Sequence, residues 1–199
     1  MKHSYKILFL LVNILFAQTH HSIHQIQSKY YNTIASPPVD KMPVRTGLDI
    51  LLDSKIDLIT GKTIALVTNQ TGIDQNGNPN YKRLMSMDEI KLKVVFSPEH
   101  GLFGEADKEI TYANQIEDLP KVYSLYGSTR KPTKEMLDGI DIIIYDIQDI
   151  GARFYTYIST LGLVMEAAAE LNIPIIVLDR PNPIRSDIVE GPILDLKYQ

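Results

Sequence analysis

The stretch Lys93–Glu105, KVVFSPEHGLFGE, decides how the rest of the chain is read. Val94, Val95 and Phe96 form a short apolar run of the kind found in a buried strand. Ser97-Pro98 stops it, because proline has no N–H for a sheet ladder and disfavours helix at the residue before it. Glu99, His100 and Gly101 therefore stand just beyond the carboxyl end of a strand. In open α/β sheets that edge is where ligands bind. A carboxylate beside an imidazole at such an edge points to chemistry more than to packing.

Three further runs have the same apolar character: Thr63–Thr68 (TIALVT), Asp141–Asp146 (DIIIYD) and Pro174–Leu178 (PIIVL). Lys121–Tyr126 reads as a short strand or extended segment. Between the runs lie helical patterns. Gly47–Leu52 places Leu48, Leu51 and Leu52 on one face, and Tyr81–Met87 is a second short helix. Thr133 caps a third, with Glu135 favourable in its first turn. Arg153–Leu171 is the clearest: Phe154, Ile158, Leu161, Met165 and Ala168 recur at helical spacing, and Tyr157, Val164 and Leu171 widen that stripe. Phe103–Pro120 has no clear period and reads as a long excursion, of a kind that in compact domains tends to be functional or mobile. Near-continuous apolar strands alternating with helices imply an α/β fold, a mostly parallel sheet with helices on both faces and right-handed crossovers.

The 199 residues suffice for one domain with a real core. There is no cysteine, which removes disulfides, thiolate catalysis and cysteine metal sites. A net charge of -4 offers no basic surface for nucleic acid. Residues 1–17 read as a secretory signal peptide, with Lys2, His3 and Lys6 ahead of a short apolar run from Ile7 to Ala17. The expected location is secreted or periplasmic, with no stable membrane anchor after cleavage. Residues 18–43 are a polar linker; His20, His21 and His24 there are a loose tract and not a metal site. The folded domain spans 44–199.

Each strand ends in polar residues. They are Asn69-Gln70, then Glu99-His100, then Asp146, Gln148 and Asp149, and last Asp179, Arg180 and Asn182. In a parallel sheet these ends share one edge, so a single pocket gathering carboxylates, a histidine and guanidiniums is expected, although Asp146 and Asp179 also suit turn caps. No G-x-G-x-x-G follows the first strand and no G-x-x-x-x-G-K-[ST] occurs, so no nucleotide cofactor is indicated. A G-x-S-x-G elbow and an H-E-x-x-H are absent too. Glu99, His100, Asp146 and Asp149 match no strong metal pattern. Acid/base work by carboxylates remains, as in glycoside hydrolysis: Glu99 as the acid, Asp146 or Asp149 as the second carboxylate.

The runs LVTNQTG, FSPEHGLFGEAD, VYSLYGSTRKPT, YDIQDIGARFYTYIST and LDRPNPI with VEGP closely resemble the NamZ-type exo-β-N-acetylmuramidases, from about Val44 to Pro192. The resemblance implies a Rossmann-like catalytic domain, and release of N-acetylmuramic acid from the non-reducing ends of peptidoglycan fragments. Muropeptides or disaccharides derived from peptidoglycan would be the partners, with no cofactor. The family's catalytic glutamate falls in PEHG, here Glu99. His100, Asn69, Asp146, Gln148, Asp149, Arg153, Tyr155, Arg180 and Asn182 stand in the other shared motifs, with substrate or supporting roles. Arg153 and Arg180 are candidates for the lactyl carboxylate, since a guanidinium fork binds both oxygens.

Family members continue past VEGP, whereas this sequence ends seven residues after Pro192. The resemblance therefore implies a C-terminal domain that completes the cleft and is not represented here, with weak or no activity for this chain alone. Two other readings stand beside the glycosidase: a non-catalytic carbohydrate-binding module, and a metal-dependent hydrolase.

Overall fold

A computed structural model describes residues 44–104, 119–185 and 187–198. The signal peptide, the linker and most of the Phe103–Pro120 excursion lie outside the described residues. Five strands, β1 (Thr63–Thr68), β2 (Lys91–Ser97), β3 (Lys121–Ser124), β4 (Ile142–Asp146) and β5 (Ile175–Val177), form one sheet in the order β3-β2-β1-β4-β5. Every neighbouring pair is parallel. The order reverses between β1 and β4, and the crevice outside that point is where doubly wound sheets hold ligands.

The helices are α1 (Gly47–Ser54), α2 (Asn80–Met85) and α3 (Tyr157–Glu170). Side chains alternate across β1: Ala65 and Val67 belong to one core, Ile64 and Leu66 to the other. The first core receives Tyr157, Val164, Ala167 and Ala168 of α3. The second receives Leu48 and Leu51 of α1 and Tyr81 and Leu84 of α2. Both faces being covered, both sets must be apolar, which is why TIALVT shows no polar alternation. Each fully buried Leu, Ile or Val here contributes about 1.5–3 kcal/mol.

Local chemistry sets the helix ends. Thr46 and Asp49 form a reciprocal capping box at α1: Asp49 N–H donates to Thr46 Oγ1 and Thr46 N–H to Asp49 Oδ2. At the end of α3, Asn172 adopts φ 53°, and Ile173 N–H reaches back to Ala168 O at 2.9 Å while Asn172 N–H reaches Ala169 O. That is a Schellman closure with asparagine where glycine is usual.

Three expectations change. Helix α3 starts at Tyr157, four residues later than its pattern suggested, because Gly151 at φ 75° and a turn closing Tyr155 N–H on Ala152 O occupy the segment before it. Its buried face is Tyr157, Thr160, Val164, Ala167 and Ala168, while Phe154, Ile158 and Met165 of the expected stripe are exposed. The segment after Thr133 makes turns, not a helix. Leu137 N–H bonds Thr133 O and Lys134 O, and the chain leaves for β4 before a second turn can form.

Candidate active site

The site starts from the turn that ends β2. Gly101 N–H donates to Pro98 O at 3.0 Å, closing a tight turn with Glu99 and His100 at its centre. His100 sits at φ 68°, a left-handed conformation uncommon for residues other than glycine. The turn presents Glu99, half-buried, toward the start of α3. There Thr156, the N-cap residue of α3, makes no side-chain bond to its own helix. Its hydroxyl donates instead to Glu99 Oε2 at 2.8 Å. The carboxylate thus lies by the positive end of a 14-residue helix.

Two hollows, of about 350 and 400 Å³, meet at Glu99, Tyr126 and Thr156, which line both. The first is walled by His100, Phe154, Tyr155 and Tyr157; the second by Leu125, Arg130, Ser159, Thr160 and Leu163. Phe154, Tyr155 and Tyr157 form a run of edge-to-face contacts, with centroids 6.4 and 5.0 Å apart. Aromatic faces of this kind suit the apolar faces of sugar rings. Burial, then Tyr155, push the Tyr157 phenol up against a pull from Asn69, and Glu99 adds a smaller push. It stays protonated at neutral pH and can donate. Asn69 Oδ1 accepts from Thr71, and its buried Nδ2 finds no acceptor in bonding geometry among the described residues. Ser97 Oγ, just before the turn, is likewise buried and unspent. Unspent buried polar groups are rare enough to mark a place worth explaining.

The sheet edge does not gather all the expected residues into one pocket. Gln148, Asp149, Arg180 and Asn182 line a different hollow of about 270 Å³, bordered by Ile158, Leu161 and Val177. Gln148 Nε2 donates to Asp149 O and Pro181 O, tying the β4 and β5 loops together. Asp149 Oδ1 accepts Gly151 N–H, and Asn182 Oδ1 accepts Ile184 N–H. Arg153 is exposed, and its Nη1 donates to Pro192 O at 2.6 Å.

Asp146 needs a correction. It is fully buried at the switch point and both oxygens are taken. Arg180 grips it through Nε at 2.7 Å and Nη2 at 3.0 Å, and Asn80 Nδ2 donates to Oδ2 at 2.8 Å. Asn80 also donates to Thr68 Oγ1, which in turn donates to Asp146 O. Arg180 Nη2 bonds Ile73 O as well. The carboxylate is fully buried, is held by Arg180 and Asn80, and lines none of the three hollows, which speaks against the second-carboxylate role. Nor does the lactyl role fit Arg180, whose fork is filled by Asp146. Their geometry is that of a strut joining the ends of β1, β4 and β5 to the start of α2. The four groups considered for a metal are not assembled either, and no three His, Asp or Glu side chains converge among the described residues.

Of the expected site residues, Glu99, His100 and Tyr155 share the cleft, and Asn69 lies behind Tyr157. Sequence reasoning missed Tyr126, Arg130, Phe154, Thr156 and Tyr157 as cleft residues. A signal was available for Thr156: a threonine directly before the first buried residue of a helix is an N-cap by pattern, and its hydroxyl can be diverted. Arg130 sits in a turn, where the pattern carries none.

With this geometry in hand, comparison with known proteins is decisive. The family model described as "Exo-beta-N-acetylmuramidase NamZ, N-terminal" matches residues 64–199. The chain belongs to the NamZ N-terminal family. The peptidoglycan β-N-acetylmuramidase NamZ of Bacillus subtilis (strain 168) is 47% identical over 161 residues, covering 79% of this chain and 39% of that protein. Two crystal structures of DUF1343 family proteins from Bacteroides fragilis NCTC 9343 are similar. One has TM-score 0.69 and 44% identity, the other TM-score 0.64 and 34% identity, each covering 79% of this chain and 40% of theirs. The chain thus spans about two fifths of the length of these relatives. The match includes every cleft residue named above.

Proposed function

We propose that this domain carries the acid of an exo-acting β-N-acetylmuramidase that releases N-acetylmuramic acid from the non-reducing ends of peptidoglycan fragments. The observation that supports the reading most is the Glu99–Thr156 bond at the junction of two hollows, one of them walled by Phe154, Tyr155 and Tyr157. Thr156 occupies Oε2, so Oε1 is the oxygen that would act on substrate. In hydrolysis Glu99, as the acid, gives its proton to the glycosidic oxygen as the bond to the anomeric carbon breaks; water bonds to that carbon, and the proton it loses restores Glu99. The half-buried position keeps the carboxyl within reach of substrate. The tyrosines provide surface for the sugar ring and phenol groups for hydrogen bonds with its hydroxyls. The substrates lie outside the cytoplasmic membrane, where the leader read at residues 1–17 would send the chain.

The test is Glu99→Gln, assayed on a chromogenic muramic acid glycoside. Hydrolysis should fall by about 10²–10⁴-fold, with binding of N-acetylmuramic acid retained. Undiminished turnover in that variant would remove Glu99 from the reaction. Binding without turnover in either form would favour the carbohydrate-binding reading.

A further inference from the structure

The sequence has six arginines, and five are committed. Arg45 pairs with Asp53, Arg83 with Asp74, Arg180 with Asp146 and Arg185 with Asp187, while Arg153 holds Pro192 O. Arg130 alone has no ion-pair or hydrogen-bond partner among the described residues, and it lines the hollow that Glu99 also lines. A guanidinium left unpaired within a built cleft has its planar fork of donors unspent.

Its placement is held from both sides. Leu125 N–H donates to Ser97 O at 2.7 Å, fixing the start of the loop after β3 beside the Glu99 turn. Gly127, at φ 81°, turns the chain. Lys131 then ties it to α3 through Glu166 at 2.9 Å and Glu170 at 2.7 Å, and Pro132 is buried. Lys131 reaches the helix, while Arg130, the residue before it, lines the cleft. Each exposed ion pair is weak alone, but the two together limit where the backbone at Arg130 can go.

We infer that Arg130 is the residue that binds the lactyl carboxylate of muramic acid, and so sets the preference for that sugar over neutral N-acetylglucosamine. The inference rests on the muramidase reading. N-acetylmuramic acid differs from N-acetylglucosamine only by a lactyl ether at O3, so its one negative charge sits on the same ring as the scissile bond. A cation in the hollow that meets at the acid is where that charge must be read. A bidentate guanidinium–carboxylate pair matches both charge and shape.

The experiment is a binding titration of the chain with N-acetylmuramic acid and, separately, N-acetylglucosamine, at low and high salt. The unaltered chain should prefer the acidic sugar by about tenfold or more at low salt, and the preference should shrink as salt screens the pair. Arg130→Gln should abolish the preference while leaving the N-acetylglucosamine affinity unchanged. Arg130→Lys should keep part of it. A preference that survives in Arg130→Gln, or no preference in the unaltered chain, overturns the role of Arg130 and leaves the muramidase reading standing. Failure of a folded chain to bind either sugar overturns both.

Discussion

Thr156 gives its hydroxyl hydrogen to Glu99 Oε2 at 2.8 Å, across 57 positions of sequence, and so leaves helix α3 without a side-chain cap. The two roles exclude each other, and forgoing an N-cap bond costs about 1 kcal/mol. Thr156→Val should therefore lower kcat on a muramic acid glycoside by about ten- to a hundredfold, since a misdirected reacting group loses rates of that order. KM should barely move, and Thr156→Ser should recover most of the loss. Thermal unfolding should change little, because no cap is removed. A large drop in Tm with kcat intact would mean that the hydroxyl serves the helix after all.

His100 is held in the left-handed region at the centre of the Pro98–Gly101 turn. A side chain there costs about 1–2 kcal/mol, and glycine escapes that cost at about 0.5–1 kcal/mol of extra chain entropy. Comparing His100→Gly with His100→Ala removes the imidazole in both and isolates the backbone. The glycine variant should be the more stable of the two by about 0.5–1 kcal/mol in urea unfolding. If alanine is the better tolerated, the turn does not hold the conformation described.

Asp146 and Arg180 form a buried pair, with side chains 0% and 6% exposed. Removing one partner strands the other's charge, which typically costs about 3–5 kcal/mol. Asp146→Ala and Arg180→Ala should each destabilise by about that much, and the double variant by clearly less than their sum. A fully stable Asp146→Ala that loses only turnover would restore Asp146 to the chemistry.

The layers were legible because burial leaves a plain trace. TIALVT, KVVFS and DIIIYD are apolar on both alternating sets, as a sheet covered on both faces requires, and their polar ends fall on one edge because every pair is parallel. What the pattern cannot carry is which of those ends face one another. Residue type marks Glu99 and Asp146 alike as acids at strand ends. One meets a threonine at a cleft and the other meets Arg180 and Asn80 inside the fold, and that difference depends on side-chain direction. The late start of α3 misled for a related reason: Phe154 and Tyr155 continue a helical period, yet they lie in a turn where they line the cleft. Function there overrides the apolar pattern.

The loop after β1 predicts how stability responds to acid. Burial disfavours charge on Asp74, but the Asn78 side chain, the N–H groups of Asn78 and Asn76, and Arg83 outweigh it and hold its carboxyl below the ordinary 3.8. Burial likewise opposes charge on Asp49 and is outweighed by the Thr46 hydroxyl and N–H and by Gln75 N–H, with Asp74 adding a small repulsion. Both carboxyls thus have lower pKa values folded than unfolded. The stability they contribute is whole above the unfolded value and is lost as the pH falls through the folded values. Chemical unfolding from about pH 6 down to about pH 3 should show a decline, and Asp74→Asn should flatten it while lowering stability at the neutral end. Asparagine keeps a carbonyl for the turn N–H groups but has no charge to lose. An equally steep acid decline in that variant would show that other carboxylates set the acid limit of the fold.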